Sequence, residues 1–318
     1  MEIIAPLARF AFAHNQGPAR IVLDPIYRVV ARSLLPAQLP LSSRLTAQRY
    51  DEDLYERYRE QSRKLQYFVE DLDFTSARPD LLTERERAFV HTSTLGETSG
   101  MAVADGFLRA FRRSPELASF FGTWFVEELN HFRGFHRYAA LMGERWSSTR
   151  VDAVAEVEFR PYADDPLEIA ACNMFQELMA YLIYRAFARE AHDPFLADMA
   201  LRFSKDELRH FKFYESVVAR AIQRDPSFRV TVLAIFLKAT TPFNQVSGGA
   251  SATLGHVATG LYYLRAREYA YFLDRVEFLL GTRLESLFEA SLEIMTSRCQ
   301  RCDEHTFRCA CMAARPAA

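Results

Sequence analysis

An all-α chain organised on a four-helix bundle is what this sequence predicts, and three observations carry that expectation. Apolar residues recur at helical spacing, and no strand-like alternation runs longer than a few residues. The stretch Glu127-Glu128-Leu129-Asn130-His131 nearly recurs as Asp206-Glu207-Leu208-Arg209-His210. A further glutamate precedes each copy by about one helix hairpin: Glu97 in Thr94-Leu95-Gly96-Glu97-Thr98-Ser99 and Glu177 in Asn173-Met174-Phe175-Gln176-Glu177-Leu178. The order E, ExxH, E, ExxH is one helix pair used twice. Residues three apart share a helix face, so Glu128 projects with His131 and Glu207 with His210. Two such helices, joined by one carboxylate from each of two others, build a site for two metal ions inside a bundle. The candidate ligands are therefore Glu97, Glu128, His131, Glu177, Glu207 and His210, with Glu128 and Glu207 expected to be shared between the metals.

Residues 1–80 are expected to form an N-terminal arm and a long accessory helix. The arm is broken by Pro6, Pro18, Pro25, Pro36 and Pro40, with a short helix expected near Ile21–Leu34. The accessory helix is expected from Ser43 to about Leu72, because Tyr50, Leu54, Tyr58, Leu65 and Phe68 recur at helical spacing. The bundle core spans 81–225. Its first helix should begin near Leu82, capped by Thr83 with Glu86 three residues on, and run to Arg112 with Glu97 at its middle. Ser114-Pro115 starts the second helix, which carries Trp124, Glu128 and His131 to about Gly143. Glu144–Pro166 reads as the crossover connection. The third helix covers about Pro166–Ala191, and Asp193-Pro194 starts the fourth, which ends at Asp225-Pro226. Residues 226–297 supply accessory helices: Phe228–Lys238, one or two between Thr253 and Gly281, and Leu284–Ser297. Residues 298–318 are a cysteine-rich tail.

Composition bounds the function. Of the 318 residues 49% are apolar, with 26 Phe and 14 Tyr, which is enough for a deep aromatic core. The net charge of −2 argues against nucleic acid or an anionic membrane as partner. No apolar run reaches the roughly 18 residues needed to span a bilayer. Met1-Glu2-Ile3-Ile4 lacks the basic start of a secretory signal, so a cytoplasmic protein is expected. Cys172 stands alone while Cys299, Cys302, Cys309 and Cys311 crowd the tail, which is no secreted disulfide framework. Those four have the count for a thiolate metal site, with His305 as a substitute ligand; reduced thiols are the plainer expectation.

The donor set selects the metal. Four carboxylates and two imidazoles make an oxygen-rich site that favours iron, with manganese as the alternative, over zinc. Metal-bound imidazoles need an outer acceptor to fix the ring, and each half offers one. Asp206 is expected to receive the His131 ring and Glu127 the His210 ring, with Asn130 and Arg209 as candidate partners of those acids.

These motifs resemble the soluble acyl-acyl-carrier-protein desaturases, a ferritin-like family whose two motifs read E-E-N-R-H and D-E-K-R-H and whose third-helix motif reads F-Q-E-R. Trp124 matches a family tryptophan four residues before the first ExxH glutamate, and Ala266–Leu273 and Glu277–Gly281 echo the helices that follow the bundle. The similarity covers roughly residues 80–285. It implies two iron ions that activate O2 with electrons from an external donor such as a ferredoxin, an acyl chain on acyl carrier protein as substrate, and a homodimer. It also implies catalytic roles around the metals for Trp124, Glu127, Asp206 and the position of Ala180. Three features depart from the family. A family threonine three residues after the third-helix glutamate is replaced by Ala180, which leaves hydroxylation or another monooxygenation open. Glu97 lacks the family's E-E-A-L context and rests on spacing, and the cysteine tail has no counterpart. Related di-iron arylamine N-oxygenases carry an extra histidine one turn before the second ExxH; here that position is Phe203, with His192 as the nearest substitute. A non-catalytic ferritin-like metal-binding protein is the reading from another class, and the many accessory helices argue against it. His91, nearly two turns before Glu97, is a candidate for the approach to the site, and His136 for a packing or surface role.

Overall fold

In the computed structural model, residues 54–144, 165–239, 259–284, 286, 302–303 and 308–309 are described. The elements are α1 (Leu54–Leu65), α2 (Glu84–Glu97), α3 (Ser99–Phe111), α4 (Pro115–Leu141), α5 (Pro166–Glu190), α6 (Pro194–Arg224), α7 (Phe228–Ala239) and α8 (Ala266–Leu280). Cys302–Asp303 and Arg308–Cys309 form a two-residue antiparallel ladder in which Cys302 faces Cys309, a small exception to the all-α expectation. The expected helix at Ile21–Leu34, the crossover at 145–164, the turn at 247–249 and most of Leu284–Ser297 lie outside the described residues, as do Cys299 and Cys311. Among the described residues no helix is long and apolar enough to cross a membrane.

The core helices start where their caps dictate. Thr83 and Glu86 form the reciprocal box: Thr83 Oγ1 accepts from Glu86 N at 3.3 Å and Glu86 Oε2 from Thr83 N at 2.8 Å. Ser114, Asp165 and Asp193 each cap a helix that opens on proline. Asp193 also accepts from Arg78 N at 2.8 Å and from the Tyr138 hydroxyl at 2.5 Å, which ties three segments at one end of the bundle.

Two expectations are corrected. The first core helix is not continuous to Arg112: it stops at Glu97 and resumes at Ser99 as α3. Glycine and β-branched or hydroxyl residues crowd this point. The Thr98 hydroxyl donates to Leu95 O at 2.5 Å, and Met101 N bonds Thr98 O at 3.1 Å, so the regular ladder is interrupted. The accessory helix ends at Leu65, not Leu72. Beyond it Asp71 accepts from Phe68 N, Asp73 from Thr75 N, and the chain runs through short 3-10 turns at Val69–Asp71, Phe74–Ser76 and Pro79–Leu81.

Helices α2 with α3, α4, α5 and α6 form the four-membered bundle, with α1 laid across α4 and α6, and α7 and α8 across α5. Covered on both sides, α5 is buried almost all round, which is why its sequence is apolar all round. The core is aromatic: Phe120 and Phe213 stack at 3.8 Å and Phe89 and Phe187 at 4.1 Å. Gly134 lets α4 approach α6 closely, since a Cβ there would sit 2.6 Å from Phe203 Cζ and 3.2 Å from Met199 Sδ.

Two stability predictions follow from this packing. G134A should lower unfolding free energy by about 1–3 kcal/mol, read as a fall in thermal midpoint, because the fully buried Phe203 ring must move. The second concerns Glu268, which caps α8 at Arg265 N (2.9 Å) and accepts from Arg189 and Arg267, each at 2.8 Å. Burial opposes its charge, but the Arg267 bond, the cap and Arg189 outweigh it and hold the carboxyl at about 2, below its ordinary 4.5. A depressed folded value stabilises above the unfolded value and is lost as pH falls through the folded one. E268Q should therefore cost about 1–3 kcal/mol at neutral pH, and the gap from wild type should close between about pH 4.5 and pH 2.

Candidate metal centre

Six donors meet at the middle of the bundle. Glu97 comes from the end of α2, Glu128 and His131 from α4, Glu177 from α5, and Glu207 and His210 from α6, and all are buried. They fall into two overlapping groups whose donor atoms lie within 4.8 Å of one another: Glu128, Glu177, Glu207 and His210, and Glu97, His131 and Glu207. Glu207 straddles the groups, with Oε1 3.2 Å from His131 Nδ1 and Oε2 3.3 Å from His210 Nδ1. Glu128 reaches across as well. Its Oε1 lies 3.2 Å from His210 Nδ1, while Oε2 is 3.7 Å from Nδ1 of His131 on its own helix.

The histidine rings are fixed from behind. Nε2 of His131 donates to Asp206 Oδ2 at 3.1 Å, and Nε2 of His210 donates to Glu127 Oε2 at 2.8 Å. Because a carboxylate only accepts, these bonds put a proton on Nε2 of each ring and turn Nδ1 to the cluster. Arg209 Nη2 joins the two acids, at 3.0 Å from Glu127 Oε1 and 2.5 Å from Asp206 Oδ1. Asn130 does not pair with them; its Nδ2 donates to Tyr67 O at 3.1 Å. Trp124 Nε1 donates to Glu177 Oε1 at 2.9 Å, and Ala180 lies one turn beyond Glu177, partly buried against the core. His192 bonds Glu86 with both its amide and its Nδ1 at the turn before α6, so it brings no ligand to the cluster. Phe203 packs its ring 4.5 Å from that of His131. His91 is paired with Glu144 at 2.8 Å, and His136, partly buried, stacks on Phe132.

Three tyrosines completing this shell are not singled out by the sequence. Tyr58 donates to Glu127 Oε2 at 2.5 Å and Tyr67 to Asp206 Oδ2 at 3.1 Å, while the Tyr184 hydroxyl donates to Glu97 Oε1. Tyr58 sits on the apolar stripe of α1, where spacing reads only as packing. Nothing local marks Tyr184 within the apolar run of α5.

The electrostatics call for cations. Burial and Glu128 push the Glu97 carboxyl up, and burial and Glu207 push Glu177 up. Burial opposes charge on both imidazoles, yet the Asp206 bond and the nearby Glu128 and Glu207 carboxylates hold the His131 value well above the ordinary one. The same balance raises His210 through Tyr58, Glu127 and Glu128. Burial likewise opposes ionisation of Glu127, but His210, Arg209 and Tyr58 hold it at about 2. Two buried atoms inside the cluster, Glu128 Oε1 and His131 Nδ1, make no hydrogen bond. With the imidazoles' Nδ1 atoms free to ligate, four carboxylates match the charge of two divalent ions, and the donor set fits a di-metal carboxylate site.

Comparison with known proteins agrees with this geometry. No curated protein matches the chain. Among solved structures, a variant of an R2-like ligand-binding oxidase with an anaerobically reconstituted Mn/Fe cofactor superposes with a TM-score of 0.51 at 18% identity, over 73% of this chain and 94% of that one. The R2-like ligand-binding oxidase from Sulfolobus acidocaldarius gives 0.50 at 15%, over 78% and 94%. At such identities the likeness shows the ferritin-like fold. The fatty acid desaturase family model matches residues 112–273, just over half of the chain, and takes in every cluster residue except Glu97. The chain belongs to the fatty acid desaturase family.

Proposed function

We propose that the protein is an oxygen-dependent di-iron oxidoreductase that oxidises an unactivated C–H position of an acyl chain carried on acyl carrier protein. The observation that supports this is the buried cluster of four carboxylates and two histidines in a member of the desaturase family. Glu97, Glu128, His131, Glu177, Glu207 and His210 would hold the metals, and Glu128 and Glu207 lie between the two histidines. When bound, the two irons supply the redox centre that reduces O2 with electrons from a ferredoxin-like donor. The structurally similar oxidases are described with a mixed Mn/Fe cofactor, so manganese is the alternative.

The chain's own contribution is placement. Glu127 and Asp206 hold the rings of His210 and His131 with Nδ1 inward, and Arg209 bonds both of those carboxylates. Trp124 restrains one oxygen of Glu177. Phe120, Phe203 and Phe135, all fully buried, keep water from the donors and so strengthen every interaction among them. The second reading is hydroxylation or another monooxygenation on the same scaffold. Ala180 favours it, because an alanine at this position offers no hydroxyl to the site. N-oxygenation by an additional histidine ligand is disfavoured, since Phe203 packs against His131 and His192 serves Glu86.

The test is anaerobic reconstitution with Fe(II), metal counting, and O2 uptake in wild type and E128A with acyl carrier protein loaded with acyl chains. The expected outcome is two irons per chain and O2 uptake that falls in E128A to the level of the metal-free protein. A product lighter by two hydrogens identifies desaturation, and one heavier by an oxygen identifies hydroxylation. Two irons bound without O2 uptake would overturn the enzyme reading.

A further inference from the structure

Each outer glutamate has one oxygen held by an aromatic donor. Trp124 Nε1 holds Glu177 Oε1 at 2.9 Å and leaves Oε2 3.3 Å from His210 Nδ1. Tyr184 holds Glu97 Oε1 and leaves Oε2 3.9 Å from His131 Nδ1. Beyond this correspondence the halves differ. The His210 side gathers Glu128, Glu177, Glu207 and His210 closely, whereas on the His131 side Glu97, His131 and Glu207 gather with Glu128 Oε2 standing farther off, 3.7 Å from His131 Nδ1. Glu97 is also the last residue of α2, beside the break at Thr98, while Glu177 and Glu207 lie inside unbroken helices. Its carboxylate is therefore restrained less by its backbone and more by what bonds to it. Tyr184 can supply that restraint because it is itself held: it is fully buried, with its ring 5.6 Å from Phe135, 6.1 Å from Phe203 and 6.2 Å from Phe89.

Resting on the two-metal reading above, we propose that Tyr184 is a positioning residue that keeps Glu97 a one-oxygen ligand and so leaves a coordination position beside His131 for a small exogenous molecule. A carboxylate can bind a metal through one oxygen or both. With Oε1 engaged by the phenol, Glu97 offers Oε2 alone. With Oε1 released, it turns to offer both and fills the position.

The test uses full-length protein loaded with iron, oxidised to the diferric form and titrated with azide, following the azide-to-iron charge-transfer band. Y184F should retain two irons, because a two-oxygen Glu97 holds metal at least as well. It should bind azide about 10-fold or more weakly than wild type. Y214F is the control: this buried phenol accepts from Asn173 Nδ2 at 3.1 Å, and its loss should leave azide affinity unchanged. Equal azide affinity in Y184F and wild type overturns the proposal, as does loss of one iron from Y184F, which would make the phenol a mere structural support. Infrared difference spectra of the wild type on azide addition give a measurement independent of any variant. An open position requires azide to bind with no shift in the carboxylate bands, and a shift from two-oxygen to one-oxygen binding overturns it. If the wild type fails to hold two irons, the two-metal reading itself falls, and the metal count reports that separately.

Discussion

Four carboxylates and two imidazoles buried in one aromatic core are the constraint on which the rest of this structure depends. An isolated buried carboxylate is expensive, and several within hydrogen-bond reach of each other repel as well. Helices are the natural frame for such a load, since their backbone groups are satisfied internally and leave the side chains alone to meet the charge. The long uninterrupted runs of α4, α5 and α6 carry five of the six donors at mid-helix, where fraying cannot reach them.

The shell behind the donors shows how the burden is shared. Glu127 and Asp206 are themselves buried, and each is engaged by a histidine, a tyrosine and a common arginine. Breaking a buried group of this kind by removing one partner typically costs about 3–5 kcal/mol, so Arg209 is as much a part of the centre as the six clustered residues. The segment carrying Tyr58 and Tyr67 gains its place the same way. It lies outside the four-helix frame, yet it closes both histidine-carboxylate pairs from one side. Accessory structure here completes a hydrogen-bonded shell that the bundle alone would leave half finished.

The fold class and the six cluster residues were legible because helical geometry makes them local. The i, i+3 spacing of Glu128 with His131 and of Glu207 with His210 needs nothing but a helix to acquire meaning. Caps were legible for the same reason: Thr83 with Glu86, and the Ser114-Pro115 and Asp193-Pro194 starts, act within one turn. Where local propensity competed with a hydroxyl group bonding its own backbone, at Thr98, a single long helix was the wrong expectation. The same holds beyond Leu65, where Asp71 and Asp73 draw the chain into short turns.

Sequence by itself determined the helical class, the order of the four core helices, the residues that meet at the centre and the family to which they belong, because each rests on short-range periodicity or on the identity of the side chains. Only the tertiary structure decided how those residues divide. Glu128 lies nearer the histidine of the opposite helix than its own, Asn130 serves a backbone carbonyl and not an acid, and Tyr58, Tyr67 and Tyr184 reach the centre from elements distant in the chain. The physical reason is that hydrogen bonds across helices depend on how the helices cross and rotate. That is set by the packing of all their faces together, which no local spacing encodes.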